Sequence, residues 1–172
     1  MKKLSLGIQD YKYMIENDFI YVDKTEYLFN MIDLGKVYFL SRPRRFGKSL
    51  TVSTLKYLFL GEKELFEDTY IYDKWKWEFY PVVSISMGSV NSLEIAELKQ
   101  SIINELKDIA YTYEVEINLQ TPSDALKSLI KALHRKYNQR VVVLIDEYDR
   151  PILNHFGNID MANTVRTHLR DF

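Results

Sequence analysis

The chain has 172 residues, of which 47% are hydrophobic and 27% are charged, so its composition is that of a globular protein and excludes intrinsic disorder for most of its length. The 23 Lys and Arg residues nearly balance the 24 Asp and Glu residues, and a net charge of −1 gives no general reason to expect nucleic-acid binding. The absence of cysteine excludes disulfides and thiolate metal sites, and no apolar run approaches the roughly 20 residues that a membrane helix needs.

Three helices and two extended segments are predicted in the first half of the chain. Apolar residues at helical spacing indicate helices at residues 10–17, 25–34 and 48–60. Glycines stand where the second and third helices would end, at Gly35 and Gly61. Residues 19–22 look extended, and the apolar run 37–40 is typical of a strand buried on both faces. The side chains expected to face inward from the second helix are Tyr27, Leu28, Met31 and Ile32.

The second half of the chain alternates strands with helices. Strands are predicted at residues 82–86, where Pro81 marks the start, and at residues 140–145, the most apolar run. Residues 91–94 resemble a helix-capping box and open a helix to about residue 113. Residues 121–124 resemble a second capping box, which opens a helix to about residue 137. A last helix is predicted at residues 160–172. This alternation predicts an α/β fold with a mostly parallel sheet flanked by helices.

The segment 40–50, Leu-Ser-Arg-Pro-Arg-Arg-Phe-Gly-Lys-Ser-Leu, contains the core of a phosphate-binding loop, or Walker A element. It lies between a predicted strand and a helix, whose N-terminus offers unpaired N–H groups to phosphate. Gly47 lets the backbone approach the phosphates, Lys48 can reach the β- and γ-phosphates, and the Ser49 hydroxyl can ligate Mg²⁺. The usual pattern has glycine five residues before Gly47, where this chain has Arg42.

Two acids follow the last predicted strand and form a candidate Walker B element, Asp146 and Glu147. Carboxylates at the carboxyl end of a parallel strand lie where α/β sheets bind ligands. Asp146 is suited to hold Mg²⁺, and Glu147 is suited to polarise the water that attacks a nucleotide. Alone, the pair would indicate a polar turn that caps the next helix, but the loop upstream favours a nucleotide site. Lys48 and Glu147 are therefore the candidate catalytic residues, and Ser49 and Asp146 are the candidate metal ligands.

Together with the segment 21–25, Tyr-Val-Asp-Lys-Thr, these motifs make the chain resemble the bacterial AAA-ATPase-like family. The loop Arg-Pro-Arg-Arg-Phe-Gly-Lys-Ser is the family's own, which accounts for Arg42. The resemblance implies a P-loop NTPase fold of the AAA-like, additional-strand catalytic-glutamate type, with ATP and Mg²⁺ as cofactors. Family members often carry a C-terminal nuclease-like domain of the PD-(D/E)XK type. Residues 1–172 are therefore expected to be one ATPase-like domain, the N-terminal portion of a larger protein, lacking later strands and any nuclease-like domain.

The resemblance also implies which residues contact the nucleotide. By analogy with related ATPases, Tyr21 and Val22 would contact the adenine base, although the segment 21–25 can also be read as a strand and a helix cap. Arg44 or Arg45 could bind the γ-phosphate, and the alternatives for this basic cluster are a solvated face or a nucleic-acid contact. The residues expected to bind ATP through the loop are Arg44, Arg45, Phe46, Gly47, Lys48, Ser49 and Leu50.

Three functions remain open at this stage. The first is ATP binding with slow Mg²⁺-dependent hydrolysis, as a switch or motor part of a larger protein. The second is a nucleotide-binding module, with ATP or ADP as ligand, that does not turn over. The third is a nucleic-acid-binding part of a defence or mobile-element system, with contacts through the arginine-rich loop or the missing C-terminal region. A cytoplasmic location without membrane contact is expected in each case.

Assembly is predicted from the two apolar runs 37–40 and 141–145. Both look like interior strands, which need a neighbour on each side, and the strand expected between them is missing. Unpaired buried backbone groups cost about 1–3 kcal/mol each. The chain is therefore expected to self-associate or to place these two strands side by side.

Overall fold

In the computed structural model, residues 2–5, 7–35, 37–43, 45–90 and 93–172 are described. Tertiary contacts divide the chain into an N-terminal unit, Met1–Tyr80, and a C-terminal unit, Pro81–Phe172. Helices occur in both units, whereas the two described strands belong to the C-terminal unit. In the described part of the chain, no helix combines the length and apolar character needed to cross a bilayer.

The N-terminal unit contains α1 (Tyr11–Glu16), α2 (Thr25–Leu34), α3 (Lys48–Phe59) and a short 3₁₀ helix (Lys63–Phe66). These bounds confirm the three helices predicted in this half. Asp10 caps α1, because its side chain accepts a hydrogen bond from the Tyr13 N–H. Beyond α3, Gly61 takes a left-handed φ of +76° beside the Trp77 carbonyl, which only glycine tolerates easily.

Aromatic rings form the centre of the N-terminal unit. Tyr11 and Phe66 are fully buried, and their ring centroids lie 4.8 Å apart. The Tyr11 hydroxyl donates a 2.9 Å hydrogen bond to the Leu65 carbonyl, so the ring's polar atom is satisfied inside the core. Leu58 of α3 is also fully buried. The helices α1 and α3 and the 3₁₀ helix therefore share one core.

Three expectations for this unit are wrong. The described residues 37–40 do not form a strand, and Val37 is 92% exposed. An apolar run becomes a strand only when a neighbour pairs with its backbone, and the described chain offers this run none. Tyr27 on α2 is 74% exposed although it was expected to face inward, whereas Leu28 is buried. Gly35 has an extended φ of −171°, so α2 ends without a left-handed glycine.

The C-terminal unit contains a two-stranded parallel sheet, β1 (Val82–Ser86) and β2 (Val142–Asp146). The strands pair in register from Val82 opposite Val142 to Ser86 opposite Asp146. The helices of this unit are α4 (Ile95–Thr112), α5 (Pro122–Tyr137), α6 (Arg150–Leu153) and α7 (Ile159–Arg170). Both predicted strands of this half are thus confirmed, and the fold is α/β with a small parallel sheet flanked by helices.

The core of the C-terminal unit lies between β1 and the long helices. Most of its buried residues come from β1, α4, α5 and α7, and they include Val83, Ile85, Leu98, Leu106, Leu129, Leu133 and Val165. Most of β2 is only partly buried and Val143 is exposed, so the strand with the most apolar sequence is the less buried of the two. At the start of α5, the Thr121 side chain accepts a hydrogen bond from the Asp124 N–H, as the sequence predicts. The capping box at 91–94 begins with two residues that lie outside the described ones.

Candidate functional site

The backbone of the predicted phosphate-binding loop turns sharply before α3. Arg45 and Gly47 both take left-handed φ values, +68° and +73°, and Gly47 is the N-cap of α3. Of the described atoms, none lies within 4 Å of the place where a Gly47 Cβ would stand. Glycine is therefore favoured here by the backbone conformation rather than by crowding from any described atom. Arg44, a predicted phosphate ligand, lies outside the described residues.

Lys48 and Ser49 occupy the first turn of α3. The Lys48 ammonium donates hydrogen bonds to the carbonyls of Arg42 (2.6 Å) and Pro43 (3.2 Å), so its side chain folds back across the loop. The first intrahelical bond of α3 runs from the Thr51 N–H to the Gly47 carbonyl at 2.9 Å. The N–H groups before it point out of the helix end, where a helix favours an anion. A cationic and a hydroxyl-bearing residue thus occupy the first turn of α3, at the helix N-terminus.

A partly buried polar cluster ties α3 to α1. The Asp10 carboxylate accepts hydrogen bonds from the Tyr57 hydroxyl (2.9 Å) and the Ser53 hydroxyl (3.2 Å). The Tyr11 N–H donates to the Ser53 oxygen at 2.9 Å. Burial, reinforced by the Asp10 carboxylate, raises the pKa of Tyr57 above its ordinary value. Sequence reasoning placed Asp10 only at the start of a helix, and its contact with α3 could not be read from local spacing.

The segment 21–25 is held in the N-terminal unit by two polar side chains. The Asp23 carboxylate accepts hydrogen bonds from the N–H groups of Thr25 and Tyr70, both at 2.8 Å. Thr25 is fully buried, and its hydroxyl accepts a hydrogen bond from the Ile71 N–H at 3.2 Å. These contacts favour the reading in which Asp23 and Thr25 hold the start of a helix rather than contact a nucleotide. Both residues fix the start of α2 against the turn at 70–71.

Tyr21 and Val22, the candidate adenine contacts, differ in their surroundings. The Tyr21 ring packs edge-on against Tyr11 with centroids 4.8 Å apart, and burial raises the pKa of Tyr21 above its ordinary value. Val22 is 70% exposed. Tyr21 is therefore largely part of the aromatic core, and Val22 is the side chain of the pair that is open to a ligand. Their contact with a base stays a prediction.

The two predicted acids stand at the carboxyl end of the parallel sheet. Asp146 is the last residue of β2, and its carbonyl accepts a 2.9 Å hydrogen bond from the Met87 N–H. Glu147 follows with a left-handed φ of +52°, and its N–H donates to the Asp146 carboxylate at 2.9 Å. Non-glycine residues with such φ values are uncommon and are enriched at functional sites. The two carboxylates are thus presented on a sharply turned backbone.

Sequence reasoning missed Gly88, which lies beside Glu147. A Cβ added at Gly88 would overlap the Glu147 carboxylate and lie 2.9 Å from its Cδ. The Glu147 side chain therefore covers the bare Cα of Gly88. The glycine itself was visible in the sequence, but nothing local linked it to a residue 59 positions later.

The candidate metal ligands are of the kind that Mg²⁺ takes in nucleotide sites. Among the described residues, no group of three or more His, Cys, Asp or Glu side chains is placed to hold a metal ion. Protein-bound Mg²⁺ in nucleotide sites usually takes one or two protein oxygens, several waters and the phosphates themselves. Ser49 and Asp146 offer donors of that kind, a hydroxyl and a carboxylate. They belong to the N-terminal and C-terminal units respectively.

Comparison with known proteins gives the family. A family model described as predicted AAA-ATPase matches residues 5–172. A protein of Azotobacter chroococcum mcd 1, described as an uncharacterized protein in the vnfD 5' region, is 38% identical over 172 residues and covers 99% of this chain. The chain spans 33% of that protein's length. No solved structure matches. Because the family model covers nearly the whole chain, the chain belongs to the predicted AAA-ATPase family.

Proposed function

We propose that the chain binds ATP with Mg²⁺ and hydrolyses it slowly, as an ATP-driven switch or motor part of a larger protein. The observation that carries this proposal is the left-handed Gly47 at the N-cap of α3, followed directly by Lys48 and Ser49. That order places a lysine and a serine in the first turn of a helix, whose free N–H groups favour a phosphate. Family membership supports a nucleotide-binding, ATPase-like role.

The loop residues bind the phosphates in this proposal. Lys48 exchanges its bonds to the loop carbonyls for β- and γ-phosphate oxygens, and residues 45–50 contact the phosphates through their backbone and side chains. Arg44 or Arg45 adds a positive charge at the γ-phosphate. Tyr21 and Val22 adjoin the base, with Val22 offering the exposed surface. Residues 1–172 together form the P-loop ATPase-like portion.

Ser49 and Asp146 would hold Mg²⁺, which neutralises phosphate charge when bound. Glu147 accepts a hydrogen bond from water and increases its nucleophilicity toward the γ-phosphorus. As the water oxygen bonds to phosphorus, Glu147 takes the water proton and the bond to the leaving oxygen of ADP breaks, which releases phosphate and ADP. Activating arginines supplied by partner molecules raise such rates about 10³- to 10⁵-fold in other P-loop enzymes, so the isolated chain should turn over slowly.

Binding is tested by calorimetric titration of Mg-ATP into the wild type and Lys48→Ala. A charged hydrogen bond in a partly dry site contributes about 1.5–3 kcal/mol, so Lys48→Ala should bind at least about tenfold more weakly. Lys56→Ala, which changes a lysine in the last turn of the same helix, is the matched control and should bind like the wild type. Equal affinity in the wild type and Lys48→Ala would contradict the proposal.

Turnover is tested by phosphate release from the wild type and Glu147→Gln. The variant should retain ATP affinity and lose most of the turnover, because the amide is a poor proton acceptor. Glu116→Gln, an exposed change in the same unit, should match the wild type. ATP binding without phosphate release in the wild type would instead support the nucleotide-binding module without turnover.

A further inference from the structure

We propose that Gly88 is a positioning residue for Glu147. Because residue 88 has no side chain, the Glu147 carboxylate can pack directly against its Cα. The inference depends on the proposed function, because it assigns Glu147 the role of water activation. It adds a second residue, from the other strand's end, to that part of the site.

The need for glycine at residue 88 comes from the neighbouring carboxylate. Gly88 is not among the residues with positive φ, so a left-handed backbone conformation is not what requires glycine there. A Cβ there would overlap Glu147 Oε2 and approach Glu147 Cδ to 2.9 Å, while Ser86 Oγ would be at an ordinary 3.5 Å. The conflict that a side chain would create is therefore with Glu147.

The pairing of the two strands brings these residues together. Ser86 lies opposite Asp146 at the end of the sheet, and the Met87 N–H donates to the Asp146 carbonyl at 2.9 Å. Gly88 follows Met87, and Glu147 follows Asp146. The bond between Met87 and Asp146 therefore brings Gly88 and Glu147 next to each other.

The backbone of Glu147 is held on both sides of its Cα. Its N–H donates to the Asp146 carboxylate at 2.9 Å, and its carbonyl accepts from the Arg150 N–H at 2.8 Å. With the backbone fixed, the position of the carboxylate depends on the side-chain torsions and on the surface against which it packs. That surface is the Cα of Gly88.

A methyl group at residue 88 would thus move the carboxylate without moving the backbone. The overlapping atoms are the far end of a flexible side chain in an exposed residue, so the fold should tolerate the change. The catalytic geometry should not, because a misplacement of about 1 Å can cost about 100-fold in rate. Gly88→Ala should therefore lower turnover about 10- to 100-fold with ATP affinity and melting temperature close to the wild type.

The test compares Gly88→Ala with Gly157→Ala. Gly157 also lacks a positive φ, and among the described atoms none lies within 4 Å of its added Cβ, so it is a matched glycine control. Phosphate release, Mg-ATP affinity and thermal unfolding are measured for both. In the Glu147→Gln background, Gly88→Ala should reduce turnover no further, because the carboxylate that it displaces is already absent. Unchanged turnover in Gly88→Ala, or a loss that merely follows lost affinity or stability, would overturn the proposal.

A second measurement separates this inference from the function on which it rests. The chain has no cysteine, so Gly88→Cys with Glu147→Cys creates a single thiol pair. Dibromobimane, which fluoresces on bridging two thiols, should cross-link this pair and not the pair Gly157→Cys with Glu147→Cys. Failure to cross-link overturns the proposed packing of residue 88 against residue 147. A wild type that releases no phosphate overturns the hydrolytic function, whatever the cross-linking result.

Discussion

Tyr57 contributes both to the free energy of unfolding and to the way in which that free energy changes with pH. Its hydroxyl donates to the Asp10 carboxylate, and burial together with that carboxylate raises the pKa of Tyr57 above its ordinary value. Because the pKa is higher in the folded state, the stabilisation is complete below about pH 10 and is lost as the pH rises, since the unfolded chain ionises first. Tyr57→Phe should lower the free energy of unfolding at pH 7 by about 1 kcal/mol and flatten the alkaline decline.

Urea unfolding between neutral pH and about pH 11 measures both effects, across the range where an ordinary tyrosine ionises. Tyr111→Phe is the matched control, because Tyr111 is 85% exposed and should change neither quantity. An alkaline decline equally steep in Tyr57→Phe and the wild type would contradict this account.

At the scale of elements, α1 depends on its contacts with α3. A helix of six residues is unstable alone, so its cap and its tertiary contacts must hold it. Asp10 supplies both, as the N-cap of α1 and as the acceptor for Ser53 and Tyr57. Asp10→Ala should therefore lower the free energy of unfolding by about 2 kcal/mol and weaken ATP binding, because it loosens the helix that begins at Lys48.

The cap of α5 provides the comparison. Thr121→Ala removes a similar N-cap in the C-terminal unit and should lower stability by about 1 kcal/mol without changing ATP affinity. Asp10→Asn keeps an oxygen for the Tyr13 N–H and should lose less stability than Asp10→Ala. If Asp10→Ala and Thr121→Ala left ATP affinity equally unchanged, the contact between α1 and α3 would have no bearing on the loop.

At the scale of the whole molecule, the apolar segment before the loop favours self-association. Val37 and Phe39 are strongly exposed, and Leu34 at the end of α2 adds to the same stretch of chain. Exposed apolar surface of this kind commonly marks an interaction site. The alternative expectation, that residues 37–40 pair beside residues 141–145, is wrong because residues 37–40 form no strand. Self-association stays a prediction.

Light scattering over a wide concentration range tests self-association. The mean mass of the wild type should rise with concentration, and Val37→Ser combined with Phe39→Ser should suppress the rise. Phe156→Ser, which removes an exposed phenylalanine in the C-terminal unit, should not. A wild type that is monomeric throughout would rule out self-association through this segment.

The sequence by itself determined the features whose causes are local. Thr121 and Pro122 define the start of α5, and Gly61 follows α3, because capping and left-handed turns depend on neighbouring residues. The strands predicted at residues 82–86 and 140–145, from apolar runs between turn signals, form at 82–86 and 142–146. The positions of Gly47 before α3 and of the two acids at the end of β2 also followed from residue type and order alone.

Only the tertiary structure decided what depends on distant neighbours. Residues 37–40 have the composition of a strand, but strand formation requires a pairing partner. Asp10 bonds to Tyr57 across 47 positions, and Gly88 meets Glu147 because the parallel register aligns two strand ends. Such contacts arise from packing and backbone pairing between separate elements, and no periodicity within either element encodes them.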